Sequence, residues 1–83
     1  MDFMSTILTE MLERAKTVMQ HSYSPYSNYS VGACLRGADE QLYGGCNVEN
    51  CSYGLCICAE ASAISAMASN GCRQINERLS VNY

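Results

Sequence analysis

A cysteine and a glutamate two residues apart are the part of this chain with the clearest potential for chemistry. Cys58-Ala59-Glu60 opens a run of small and apolar residues that predicts a helix over 58–69. The partial positive charge of a helix amino terminus favours the thiolate form of cysteine, which is the form that binds metal. Glu60 points in another direction around the helix, so it can approach a metal-bound water without ligating the metal. The triplet therefore indicates a metal ligand beside a proton-transferring carboxylate.

The triplet alone is a weak signal, because free cysteine is among the most buried residue types. The segments that surround it add weight, since they occur in the order and spacing of the small zinc-dependent cytidine deaminases. These segments are Ser24-Pro25-Tyr26-Ser27-Asn28-Tyr29, Val31-Gly32-Ala33, Gly45-Cys46-Asn47-Val48-Glu49-Asn50, Ser52-Tyr53-Gly54-Leu55 and Ile57-Cys58-Ala59-Glu60. The combination of Asn-Val-Glu-Asn with Cys-Ala-Glu is highly specific. The chain therefore resembles that family from about residue 5 to residue 71.

The resemblance implies an activity and a set of residue roles. The activity is zinc-assisted hydrolytic deamination at C4 of the pyrimidine of cytidine or deoxycytidine. Cys58 would be the first zinc ligand, and Glu60 would be the general acid and base. Asn47 and Glu49 would hold the ribose hydroxyl, and the backbone of Ala59 would contact the base.

Three further residues match positions that the family uses around its substrate. Tyr29 stands where the family places an aromatic ring against the pyrimidine. Cys51 and Tyr53 stand where the family reaches into the site of an adjacent subunit, so the resemblance implies a homo-oligomer, either a tetramer or a dimer. Plainer interpretations remain open. Tyr29 could be a half-buried strand residue, and Asn47 and Glu49 could be turn and edge residues.

The sequence does not supply the further zinc ligands that the resemblance implies beside Cys58. The family completes its site with a second motif, Pro-Cys-x-x-Cys, and the only proline of the 83 residues is Pro25. Cys72 follows Cys58 by 14 residues, which corresponds to roughly 20 Å along one helix. A zinc–sulfur bond is about 2.3 Å long, so Cys72 is expected to be an ordinary residue after the helix.

These observations predict a chain that is incomplete for catalysis. We expect the 83 residues alone to hold zinc poorly and to show little or no deaminase activity, since one ligand stands where three are needed. The alternative functions are a non-catalytic remnant that binds nucleosides or supports oligomerisation, and a structural metal module ligated by cysteines. The second alternative would use Cys56 and Cys58, which point the same way if the chain is extended there, together with Cys46 or Cys51.

One more departure from the family concerns charge. Family members that carry cysteine in the triplet usually follow the glutamate with arginine, which offsets the charge of the thiolates. This chain has Ala61 at that position, and an alanine cannot supply a positive charge.

Composition limits the classes of function. Hydrophobic residues make up 48% of the chain and charged residues 16%, which is a low charged fraction for a free small domain. We therefore expect another copy of the chain, or sequence missing from these 83 residues, to cover part of the apolar surface. The net charge of −3 and the scattered cations argue against binding of a nucleic-acid polymer. The resemblance implies a small-molecule nucleoside as the partner.

The sequence also predicts a location. It has no apolar run long enough to span a membrane, and acidic residues interrupt the apolar pattern of the first 20 residues, unlike in a signal peptide. We therefore expect a cytoplasmic protein. In a reducing cytosol, the six cysteines are expected to be metal ligands or small buried side chains rather than disulfides.

The remaining pattern predicts one α/β domain over residues 1–83, in the order helix, strand, strand, helix, strand. The resemblance implies that this is the amino-terminal part of a three-layer α-β-α core. The predicted elements are a helix over 5–20, a loop over 22–28, strands over 29–35 and 41–48 around a turn at 36–40, a loop over 50–54, the helix over 58–69 and a last strand after residue 74. Asn70-Gly71 is expected to end the second helix. A helix between two strands predicts a right-handed parallel crossover.

Overall fold

The computed structural model of the protein describes residues 3–50 and 55–82. The helices are α1 (Phe3–Met19) and α2 (Ala59–Ser69), and the strands in chain order are β1 (Val31–Gly37), β2 (Leu42–Cys46), β3 (Val48–Asn50), β4 (Leu55–Ile57) and β5 (Ile75–Asn82). Both predicted helices and all three predicted strands are present, and β3 and β4 are additional. None of the helices that are described combines the length and the apolar character needed to cross a bilayer.

The main sheet has three strands in the order β2-β1-β5, with β1 in the centre. Successive side chains of a strand point to opposite faces of the sheet. Cys34 of β1 accordingly packs with Met11 and Ala15 of α1, whereas its neighbour Leu35 packs with Ala63 and Met67 of α2. The two helices therefore cover opposite faces, and the predicted three-layer α-β-α arrangement is confirmed.

The buried face of α1 and the end of α2 follow from local sequence. Met11 and Ala15 lie one turn apart on α1 and are both fully buried, as the helical spacing of apolar residues predicts. Asn70 caps the carboxyl end of α2, and Gly71 has a φ of 90°, which an L side chain rarely adopts. The prediction that Asn70-Gly71 ends this helix is confirmed.

Several strand boundaries differ from the prediction, and the first strand begins at Val31 instead of at residue 29. The first strand continues through Arg36 and Gly37, which were expected in the turn; Arg36 is 7% exposed, and its guanidinium lies 2.8 Å from the carboxylate of Glu77 on β5. The strand predicted to run to residue 48 ends instead at Cys46. Asn47 leaves the sheet because its side chain bonds to the preceding loop, and Val48 begins β3, which pairs with β4 in a separate two-stranded sheet.

The connection through α2 is only partly as expected. The strand that pairs directly with β5 is β1, and the two run antiparallel. Because β2 is also antiparallel to β1, β2 and β5 run parallel to each other, but β1 lies between them. The predicted parallel crossover therefore spans the central strand instead of joining adjacent strands.

Candidate active site

Cys58 is the N-cap residue of α2, as the sequence predicts. Its backbone is extended, with φ −78° and ψ 159°, and its Sγ accepts a hydrogen bond of 3.4 Å from the backbone N–H of Ala61. The residue is exposed rather than packed in the interior. The thiol therefore lies at the mouth of a helix, where the unpaired N–H groups favour negative charge.

Glu60 lies in the first turn of α2 and contacts a residue that the sequence analysis did not select. The Nη1 of Arg78 on β5 lies 3.2 Å from Glu60 Oε2. The neighbours of Arg78 in the strand, Glu77 and Leu79, face α1, so alternation directs Arg78 to the α2 face. Arg78 thus places a positive charge beside the acidic residue although position 61 is an alanine.

Asn47 uses its side-chain amide to hold the segment that precedes β1. Its Oδ1 accepts hydrogen bonds from the hydroxyl of Ser22 at 2.6 Å and from the backbone N–H of Val31 at 2.9 Å. Its Nδ2 donates to the backbone carbonyl of Tyr29 at 2.7 Å. The residue next to the end of β2 therefore fixes both ends of the segment 22–31.

Glu49 holds the middle of the same segment. Its Oε1 accepts hydrogen bonds of 3.1 Å from the backbone N–H groups of Tyr26 and Ser27. Hydrogen bonding by Ser27, through its hydroxyl and its N–H, and then by Tyr26 N–H, lowers the pKa of Glu49 below its ordinary value. Glu49 is therefore held as a carboxylate at neutral pH.

One cavity joins most of the predicted site. It has a volume of about 450 Å³, and five of its lining residues are Asn47, Glu49, Cys58, Ala59 and Glu60. These residues come from the segment after β2 and from the start of α2, which the fold brings together. The cavity thus presents a thiol, two carboxylates and an amide around one space, which suits a small polar ligand.

One described site residue, Tyr29, is not among those that line this cavity. Tyr29 is 47% exposed, and its carbonyl binds Asn47. It is part of the segment held by Asn47 and Glu49, and it lies outside the described strands, so the half-buried strand alternative is wrong. Cys51 and Tyr53 lie outside the described residues, so their roles remain predictions.

The described residues do not complete a zinc site. Within residues 3–50 and 55–82, no three histidine, cysteine, aspartate or glutamate side chains are grouped so that they could hold a metal. Cys58 suits one ligand position, because its thiol is exposed at the cavity. Among the described side chains, Cys34, Cys46, Cys58 and Cys72 are free thiols.

The other described thiols have structural surroundings. Burial raises the pKa of the Cys34 thiol and of the Cys46 thiol, so both favour the neutral form. Cys72 is 8% exposed, packs in the cluster of Leu35 and Tyr43, and donates its S–H to the carbonyl of Gln74 at 3.4 Å. The prediction that Cys72 is an ordinary residue after the helix agrees with this packing. The side chain of Cys56 lies outside the described part.

Comparison with known proteins agrees with the geometry. The family model described as "Cytidine and deoxycytidylate deaminase zinc-binding region" matches residues 5–82. A cytidine deaminase of Mycoplasma genitalium is 36% identical over 73 residues, which are 88% of this chain and 55% of that protein. A cytidine deaminase of Sporosarcina psychrophila is 38% identical over 64 residues, which are 77% of this chain and 47% of that protein.

Solved structures show the same likeness. The crystal structure of cytidine deaminase from Burkholderia pseudomallei superposes with a TM-score of 0.81 at 41% identity, covering 89% of this chain and 60% of that one. For the Mycobacterium tuberculosis cytidine deaminase the TM-score is 0.83 at 35% identity, covering 90% and 61%. The chain spans about half the length of the curated relatives it matches. By its family-model match and its fold, the chain belongs to the cytidine and deoxycytidylate deaminases, in the zinc-binding region of that family.

Proposed function

We propose that the protein acts in the hydrolytic deamination of cytidine or deoxycytidine, within pyrimidine salvage. The observation that carries this proposal is the cavity shared by Asn47, Glu49, Cys58, Ala59 and Glu60. The relatives of this chain that are named cytidine deaminase support the same reaction class.

In this proposal, Glu60 moves protons at the pyrimidine. Its carboxylate takes a proton from the attacking water and delivers protons to the ring nitrogen and to the departing amine. The oxygen of the water forms a bond to C4, the bond from C4 to the exocyclic nitrogen breaks, and ammonia leaves. Arg78, 3.2 Å from Glu60, helps to orient the carboxylate.

The remaining residues bind the nucleoside. Asn47 and Glu49 hold a sugar hydroxyl, since an amide N–H can donate to it and a carboxylate can accept from it. The backbone of Ala59 contacts the base, and Tyr29 places its ring against the pyrimidine. A site built to bond a hydroxyl in this way rejects analogues that lack it.

We also propose that Cys58 contributes one thiolate to the zinc for which the family region is named. Its exposed position at the helix amino terminus supports this assignment. The described residues contain no group of three side chains that could hold the metal. The cysteine-ligated structural module receives no support from the described side chains.

Exposed apolar side chains support the proposal that the chain forms a homo-oligomer. Large apolar side chains are exposed on several elements, with Leu8 at 46%, Ile57 at 41% and Ile64 at 43%. A homo-oligomer, either a dimer or a tetramer, would cover part of this surface, with Cys51 and Tyr53 reaching into a neighbouring site. Free thiols at Cys34 and Cys46 fit a reducing, cytoplasmic location.

An activity assay with metal analysis tests the proposed reaction. We expect Glu60→Gln to abolish any conversion of cytidine to uridine, followed by ultraviolet absorbance, because the amide cannot take up the proton. Glu10→Gln on α1, across the sheet from the cavity, is the matched control and should leave conversion unchanged. We expect less than one zinc per chain, as one suitable ligand is described.

Each outcome has a distinct meaning. Conversion that persists in Glu60→Gln would contradict the proposed function. One zinc per chain with conversion that depends on Glu60 would support the function. It would also overturn the expectation that the 83 residues alone hold zinc poorly and are nearly inactive.

A further inference from the structure

Ser22, which is not one of the predicted site residues, contacts the side-chain amide of Asn47. An amide oxygen has two lone pairs, and in Asn47 both are used: Ser22 Oγ donates to one at 2.6 Å and Val31 N–H donates to the other at 2.9 Å. The Ser22 bond is partly buried and links residues 25 positions apart in sequence. The Asn47 oxygen therefore has no lone pair left for a ligand.

The backbone fixes which way the Asn47 amide faces. A flipped amide would direct its NH₂ group at the Val31 N–H, and its oxygen at the Tyr29 carbonyl. Both contacts would be repulsive, since they pair donor with donor and acceptor with acceptor. Ser22 does not decide the direction, because a hydroxyl can donate or accept. Its effect is to occupy the second lone pair.

The donors and acceptors of Asn47 and Glu49 that remain unused determine which ligand group the cavity can bind. The Asn47 NH₂ group has two N–H donors, and Tyr29 carbonyl takes one of them, so one N–H remains. Glu49, whose pKa is lowered mainly by Ser27, presents only acceptors at neutral pH. A single donor from Asn47 beside an acceptor from Glu49 suits a hydroxyl, which accepts from the first and donates to the second.

We propose that Ser22 is a positioning residue that determines specificity: by saturating Asn47 Oδ1, it restricts this amide to donating. The site then favours a ligand whose sugar hydroxyl accepts from Asn47 over a ligand that has no sugar. The proposal rests on the proposed function, in which that hydroxyl belongs to cytidine.

The test compares three variants of the full chain by nuclear magnetic resonance. Ser22→Ala removes the hydroxyl, Ser22→Thr keeps it, and Ser30→Ala makes the same deletion at a serine of the same segment with no side-chain hydrogen bond among those described. The first readout is the carbon-13 signal of the Asn47 side-chain carbonyl. The second is a titration with cytidine and, separately, with cytosine, which has no sugar.

We expect Ser22→Ala to move the Asn47 carbonyl signal upfield, because the carbonyl loses a hydrogen bond. We also expect cytidine binding to weaken about fivefold, because an amide held by one bond fewer positions its remaining N–H less well for the sugar hydroxyl. Cytosine binding should stay the same. Ser22→Thr should restore both readouts, and Ser30→Ala should resemble the unaltered chain. If Ser22→Ala merely destabilised the fold, the binding of both ligands would weaken alike, and Ser22→Thr would not restore it.

The experiment distinguishes a failure of the Ser22 inference from a failure of the proposed function. If the unaltered chain binds cytidine, and Ser22→Ala neither weakens that binding nor moves the Asn47 signal, the inference is wrong and the proposed function stands. A loss of cytosine and cytidine binding together in Ser22→Ala would also contradict it. If the unaltered chain does not bind cytidine, the proposed function fails, and the specificity role of Ser22 fails with it.

Discussion

Asn47 and Glu49 each combine two roles at the scale of single residues. Their side chains line the cavity, and they also hold the segment 22–31 through hydrogen bonds to its backbone. Glu49 makes this second role dependent on pH. Its pKa is lower in the folded chain than its ordinary value of 4.5, chiefly through hydrogen bonding by Ser27.

The pH dependence of Glu49 has a definite sign. A group whose pKa is lowered by folding stabilises the folded state above its unfolded pKa, and this contribution is lost as the pH falls through the folded value. We therefore expect the N–H groups of Tyr26 and Ser27 to lose their bonds to Glu49 only below about pH 4.5. Their amide chemical shifts, followed from pH 7 to pH 2, measure this. In Glu49→Gln the transition should be absent; its persistence there would assign it to another group.

The pair of Arg78 and Glu60 is expected to contribute little to stability. Both side chains are substantially exposed, at 73% and 45%, and exposed pairs are worth below about 1 kcal/mol. In a double-mutant cycle with Arg78→Gln and Glu60→Gln, we expect a coupling below about 1 kcal/mol that vanishes in 1 M salt. Arg73→Gln, on the exposed connection before β5, is the matched control. A large coupling that survives salt would contradict a solvent-screened contact.

The family resemblance, carried by motifs that are local in sequence, singled out Asn47, Glu49, Cys58 and Glu60, and the structure places all four along one cavity. The contributions of Ser22 and Arg78 were missed for a physical reason. Each lies at least 18 positions from the residue it contacts, and each depends on the register of strands or on the path of a loop. Alternation along β5 was the one signal that could have indicated the direction of Arg78.

At the scale of elements, the position of α2 depends on its close approach to β2. A Cβ at Gly45 would lie 2.4 Å from the backbone N of Ala63 and 2.6 Å from the carbonyl of Ala59. The absence of a side chain at Gly45 therefore lets the first turns of α2 lie directly on the strand. This contact sets where Cys58 and Glu60 meet the segment after β2.

We expect Gly45→Ala to destabilise the fold by about 1–3 kcal/mol, because rigid backbone atoms of α2 must shift. Gly44→Ala is the control on the other face of the same strand, where the nearest atom is a side-chain carbon of Val18 at 2.8 Å. A side chain can move more easily than a helix backbone, so its cost should be smaller. Urea denaturation measures both; an equal or larger loss for Gly44→Ala would contradict the proposed close packing.

The sequence predicted the long elements better than the short ones. Helical periodicity over many residues placed α1 and α2 within two residues of the observed bounds at each end, while β3 and β4, at three residues each, were not separated from their surroundings. Such short strands carry too few residues for alternation to be seen. Asn47 interrupts the predicted strand through side-chain bonds to a loop, which a local pattern cannot reveal.

For the whole molecule, one sheet with a helix on each face brings the cavity together from distant parts of the chain. The fold class followed from the order of the elements and from the family resemblance. The pairing of β5 with β1 did not. After the crossover, a strand of the same direction could lie on the free edge of β2 as a parallel neighbour or on the free edge of β1 as an antiparallel one, and β5 lies beside β1. The site therefore lies where α2 begins on the sheet, and the opposite face is covered by α1.

A cytidine titration of the isotope-labelled chain, with adenosine as the comparison nucleoside, tests whether the cavity at the start of α2 binds a pyrimidine nucleoside. We predict saturable shift changes for cytidine that centre on Asn47, Glu49, Ala59 and Glu60, and weaker changes for adenosine. Changes centred instead on the groove that Lys16, Gln20 and Val81 line on the α1 side, or no saturable change at all, would contradict it.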